Sequence, residues 1–174
     1  DKVLLTFDDI KDDVIYATIT RNIGNKYSLG IDIESIVYEN NVPVDFSDAV
    51  IQASENLVFE ITEKDKKLRR DIRNRKIITI DPATSKDLDD AVFVDKLPNN
   101  NYFLSVSIAD VSSYVKFNSQ LDNSAFERGT SVYLVDRVIP MLPTKISDNL
   151  CSLNENEDKF ALTCDMEIDH DGNI

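Results

Sequence analysis

At 174 residues the chain is long enough for one full domain or two partial ones, and an apolar share of 42% gives it a core to bury. A net charge of −13 argues against a surface that binds nucleic acid at large, because neutralising phosphates takes lysine and arginine. Apolar runs stay far short of a membrane span, and sparse glycine and proline without low-complexity tracts argue against disorder.

The chain opens on Asp1-Lys2-Val3, without a charged-then-apolar leader and without an initiator methionine. The expectation is a piece of a longer cytoplasmic protein. Cys151 and Cys164 lack metal-ligand spacing and sit among apolar residues, so they read as reduced thiols. Charge is unevenly spread: residues 1–60 carry 12 acidic and 4 basic side chains, residues 61–80 carry 3 and 8, and residues 81–174 carry 17 and 7. The basic island from Lys64 to Lys76 reads equally well as a solvated helix face or as a lining for RNA.

Taken in order, Val3–Phe7 and Val14–Ile19 are β-branched and aromatic, with the acidic turn Asp8–Asp13 between them. Two strands alone are marginal, so residues 1–22 read as the tail of a larger β-domain. Residues 31–76 read as a helical connector. Ile33, Ile36 and Val37 share a helical face, Pro43 breaks the chain, and Ser47 and Thr62 are N-cap candidates. Strands are expected at Ile77–Ile80, Ala91–Val94, Tyr102–Ile108, Ser131–Val135 and Phe160–Ile168. A helix is expected at Leu121–Arg128, stopped by Gly129, and an apolar turn at Pro140–Pro143. The only histidine, His170, falls in a terminal turn and should be exposed. The fold class is α+β.

The loop after Ile80 carries Asp81, Asp87, Asp89 and Asp90. Two unit charges about 4 Å apart repel by about 4 kcal/mol at an effective dielectric of about 20. Four carboxylates pinned between strands therefore favour a hard divalent cation. A solvated turn is the simplest rival, and the better one for any single aspartate. An EF-hand is excluded by the missing turn glycine and distal glutamate, and a phosphotransferase lacks a second Asp two residues after Asp81. What remains is two-metal phosphodiester hydrolysis, which needs several carboxylates and no catalytic histidine. A non-catalytic RNA- or protein-binding module with structural aspartates is the alternative.

Asp81-x5-Asp87-x-Asp89-Asp90-Ala91 resembles the metal-binding signature of the ribonuclease II/ribonuclease R exoribonucleases. Gly30–Ile36, Val42–Phe46, Arg69–Arg73, Ile108–Val115, Arg128–Tyr133, Val138–Pro143 and Leu150–Asn154 agree with that family in order and spacing. The resemblance implies that residues 1–22 end a cold-shock, OB-type RNA-binding domain, that 23–70 form a helical connector, and that 71–174 begin the mixed α/β RNB catalytic domain. It implies Mg²⁺ at a two-metal site and 3′→5′ hydrolysis of single-stranded RNA from its 3′ end to nucleoside 5′-monophosphates by a monomeric enzyme with no membrane partner. Asp81, Asp87, Asp89 and Asp90 match the family's catalytic aspartates, and Tyr133 matches the aromatic that stacks on the terminal base. Without the family match Tyr133 reads as a half-buried strand tyrosine. Asp110 reads as a turn cap or a fifth carboxylate. The family's catalytic domain continues past residue 174 to an arginine and further groups, so the chain by itself is expected to be inactive.

Overall fold

The computed structural model describes residues 1–174. In chain order the elements are β1 (Lys2–Lys11), β2 (Val14–Gly24), α1 (Ile31–Glu39), α2 (Asp48–Glu55), α3 (Glu63–Leu68), β3 (Asp90–Lys96), β4 (Tyr102–Ala109), α4 (Gln120–Arg128), β5 (Val132–Tyr133), β6 (Val138–Ile139) and β7 (Ala161–Ile168). A 3-10 turn spans Val111–Ser113 and a π-helical turn spans Lys145–Leu150. The result is a mixed α/β arrangement of small sheets and short helices, with no closed barrel. No helix is long and apolar enough to cross a membrane. The chain divides into two compact units, one made of Asp1–Asp45 with Val132–Ile139 and the other of Phe46–Ser131 with Pro140–Ile174.

In the first unit β1 and β2 pair antiparallel from Lys2↔Gly24 to Lys11↔Val14. The acidic turn expected over Asp8–Asp13 shrinks to Asp12 and Asp13, with φ of 50° and 62°. A two-residue hairpin needs positive φ at both central positions, and aspartate tolerates it. Asp8 instead lies in the strand, where its carboxylate accepts a 2.7 Å bond from the Thr18 hydroxyl. Leu5, Phe7, Ile15 and Ile19 on this ribbon stay exposed. Helix α1 buries Val37, and the Arg21 guanidinium stacks 4.9 Å above the Tyr38 ring. The expected strand Ser131–Val135 contracts to β5, which pairs with β6 around a turn closed by Leu134 N–H to the Arg137 carbonyl.

In the second unit both expected caps form. The Ser47 hydroxyl accepts from Val50 N–H at 3.4 Å, and Thr62 and Asp65 make a reciprocal capping box at 3.2 and 2.9 Å. Helix α4 is capped by Ser119 and ends at Gly129, whose φ of 74° disfavours other residues. Its Leu121 and Ala125 face inward. The core joins Val50, Ala109, Tyr114, Leu121, Ile146, Leu150 and Cys151, flanked by Phe59 and Phe160. The rings of Phe59, Tyr114 and Phe160 lie 5.4–6.3 Å apart, in tilted contact.

The sheet of this unit runs β3-β4-β7, antiparallel throughout, with β4 central. Arg75 straps the preceding segment onto it. Its guanidinium donates to Asp165 at 2.8 and 3.0 Å and to the Ser105 hydroxyl at 2.6 Å, and lies 5.2 Å from the Phe103 ring centroid. The expected strand Ile77–Ile80 does not form. Only Ile78 exchanges backbone bonds with Val92, at 2.9 and 2.8 Å. Ile80 is exposed, and Pro82 soon after it has no N–H to extend a ladder. Cys151 is buried, whereas Cys164 on β7 is exposed rather than packed among apolar groups.

Ile146 has no exposed surface. Ile146→Ala should lower unfolding stability by about 2–5 kcal/mol, read from urea denaturation. The Tyr114 hydroxyl is buried without a hydrogen-bond partner. Tyr114→Phe, which removes that group, should leave stability unchanged or raise it in the same assay.

Candidate functional site

The aspartate loop is held by its backbone. The Ser152 hydroxyl, fully buried, donates to the Lys86 carbonyl at 2.7 Å and accepts from Leu88 N–H at 3.1 Å. Next to it, Leu153 N–H donates to the Leu88 carbonyl at 2.9 Å. From the other side Ala109 N–H, at the end of β4, donates to the Asp89 carbonyl at 2.9 Å. Asp90 then opens β3 opposite Ile108. Upstream, Ser85 N–H closes a turn onto the Pro82 carbonyl at 2.9 Å. Asp87 and Asp89 therefore flank a residue clamped on both backbone groups.

Asp81, Asp89 and Asp90 are exposed and Asp87 is half-buried. The Asp89 carboxyl titrates above its ordinary value. Partial burial is the main cause, followed by repulsion from Asp87, Asp90 and Asp81. All four expected aspartates thus act on one electrostatic locus. No three carboxylate, thiol or imidazole side chains converge to metal-holding spacing. The donor set is nonetheless all hard oxygen, the chemistry that Mg²⁺ accepts, and its mutual repulsion is what a cation relieves. Cys151 lies behind the loop. Burial first, then the Asp89 charge, push its thiol up to about 11, so it stays protonated at neutral pH. Tyr133 belongs to the first unit, on β5, and is 66% exposed rather than half-buried. His170 is exposed.

Two supports were not anticipated. One is Ser152. The other is a buried ion pair at the β4 terminus. Asp110, 4% exposed, accepts from Arg69 at 2.6 Å, from Ser113 Oγ at 2.7 Å and from Ser112 Oγ at 2.6 Å. Its own N–H donates to the Phe160 carbonyl at 2.9 Å, and Arg69 also stacks 4.3 Å from the Phe160 ring centroid. Asp110 is thus a structural anchor beside Ala109. The basic island is largely taken up by ion pairs, most of them exposed: Arg70 and Arg75 with Asp165, Arg73 with Asp71 and Asp158, and Lys66 with Glu63.

Burial alone would raise the Asp110 pKa, but the bonds from Ser112, Ser113 and Arg69 outweigh it and hold the group at about 2. A carboxyl depressed on folding stabilises the protein above its unfolded value, and that contribution is lost as pH falls from about 4 through about 2. Arg69→Ala leaves a buried carboxylate without its cation and should lower stability at pH 7 by about 3 kcal/mol. The deficit should shrink in chemical denaturation at pH 3, as Asp110 takes up a proton. Asp110→Asn should abolish much of the same acid-linked slope.

The RNB domain family model matches residues 69–174. Ribonuclease R of Ureaplasma parvum is 54% identical over 158 residues, covering 91% of this chain and 22% of that protein. The structure of Mycoplasma genitalium RNase R in complex with double-stranded RNA superposes with a TM-score of 0.90 at 33% identity, covering 96% of this chain and 30% of that one. The yeast pseudonuclease Ssd1 shares the fold at a TM-score of 0.74 and 19% identity, covering 95% of this chain and 21% of that one. The chain thus spans about a fifth to a third of the length of these relatives. With more than half of its residues matched by that model, the chain belongs to the RNB domain family.

Proposed function

We propose that the protein containing this chain is a metal-dependent, hydrolytic 3′→5′ exoribonuclease of the ribonuclease R type, and that this chain carries its aspartate half-site. The observation that carries the reading is the clamped loop, which concentrates Asp81, Asp87, Asp89 and Asp90 on one electrostatic locus. Those four residues would hold Mg²⁺. When bound, the metal supplies Lewis-acid stabilisation of charge on the scissile phosphate and lowers the pKa of a bound water. The chain itself contributes oxygen donors whose backbone is fixed before substrate arrives, which limits reorganisation during reaction. Tyr133 presents an exposed ring suited to stacking on a 3′-terminal base of single-stranded RNA, a contact of about 1–3 kcal/mol that accepts any base.

The exposed apolar residues of the β1-β2 ribbon support reading residues 1–22 as the end of an OB-type, cold-shock RNA-binding domain. Residues 23–70 then connect it to an RNB domain begun by residues 71–174. We place the enzyme in the cytoplasm as a monomer, releasing nucleoside 5′-monophosphates.

Asp89→Asn in the full-length protein should reduce mononucleotide release by about a thousandfold or more, the rate equivalent of several kcal/mol of lost charge stabilisation, with RNA binding retained in a filter assay. Activity within tenfold of wild type would sink the assignment. The 174-residue chain alone should release no mononucleotides. Mn²⁺ titration of this chain should broaden amide resonances near Asp81 and Asp87–Asp90 first. Uniform broadening along every acidic segment would instead mark the aspartates as ordinary surface charge.

A further inference from the structure

We propose that Ser152 is a positioning residue for the aspartate site: its hydroxyl sets the spacing of Asp87 and Asp89 by clamping the backbone on both sides of Asp87. The inference rests on the metal-site reading above. Ser152 has no exposed surface, and its hydroxyl has one local contact, to Asn154 Oδ1 at 3.3 Å. It reaches across the sequence to the Lys86 carbonyl at 2.7 Å and the Leu88 amide at 3.1 Å. Those two groups bracket Asp87, and Leu88 directly precedes Asp89. Leu153 N–H adds a third bond, to the Leu88 carbonyl at 2.9 Å. Opposite, Ala109 N–H holds the Asp89 carbonyl at 2.9 Å.

The repulsion among the four aspartates pushes this loop to spread, and a single hydroxyl that both donates and accepts opposes that spreading on either side of Asp87. Such outer-shell contacts typically change metal affinity by about 10–100-fold when removed. A serine that merely satisfied buried backbone groups would alter stability and the exchange of the Leu88 amide it accepts from, and would leave metal affinity unchanged.

The test compares Ser152→Ala with Ser54→Ala. Ser54 is 1% exposed and donates only to the Ile51 carbonyl of its own helix, so it reports the effect of losing a buried hydroxyl away from the loop. Two readouts are taken on folded protein: hydrogen exchange of the Leu88 and Asp89 amides, and Mn²⁺ affinity by calorimetry. Ser152→Ala should speed exchange at Leu88 and Asp89 at least tenfold more than Ser54→Ala does, and weaken Mn²⁺ binding by about tenfold. Exchange and affinity matching those of Ser54→Ala would overturn the proposal. If Ser152→Ala fails to fold, Ser152→Cys, which keeps a weaker donor and acceptor of similar size, should give the same effects in smaller measure, and wild-type behaviour in that variant would overturn it. Failure of the wild-type chain to bind Mn²⁺ would count against the metal reading, and exchange at Asp89, whose amide does not bond Ser152, would then decide the positioning role by itself.

Discussion

Four carboxylates crowd one short loop, and the chain restrains them through its backbone. Like charges at such spacing drive a flexible loop open. Here Ser152, Leu153 and Ala109 hold residues 86–89 from two sides, and burial, with repulsion from Asp87, Asp90 and Asp81 added, raises the Asp89 pKa. The rest of the second unit reads as support for that restraint. The central strand β4 delivers Ala109 to one side of the loop, and the core around Ile146, Leu150 and Cys151 fixes the segment that carries Ser152 to the other.

A second layer of electrostatics holds the support in place. Asp110 follows Ala109 directly and is itself tied by two serine hydroxyls and the Arg69 guanidinium. Arg75 straps the chain entering the loop onto Ser105 and Asp165 of the sheet. The two kinds of aspartate therefore behave in opposite ways. Asp110 and Asp165 are satisfied by arginine and hydroxyl donors and titrate low, as befits structural ion pairs. Asp89 is partly buried, faces other carboxylates and titrates high.

Most local features were legible beforehand because they depend on near neighbours. Ser47 and Thr62 cap helices through residues three positions on, and Gly129 ends α4 through its own backbone freedom. The β-branched runs at Tyr102–Ala109 and Ala161–Ile168 are strands because alternation and β-propensity agree there. Ile77–Ile80 shares that composition and failed, because a strand also needs a partner along its length and only Val92 bonds to it. The turn expected over Asp8–Asp13 is shorter in the fold for a similar reason. Charge density suggests a loop, while the strand runs past an irregularity at Asp8 to Asp9, which pairs with Tyr16.

From the sequence alone came the identity of the four aspartates, their spacing on one loop and the family they resemble, because motif spacing and side-chain chemistry are properties of the chain itself. The tertiary structure alone decided how the loop is restrained and what became of the basic island. Ser152 meets Leu88 across 64 residues, Arg69 meets Asp110 across 41 and Arg75 meets Asp165 across 90. Such pairings arise only when sheet register and core packing bring distant segments together, and a linear pattern of charges carries no record of which partner each will find.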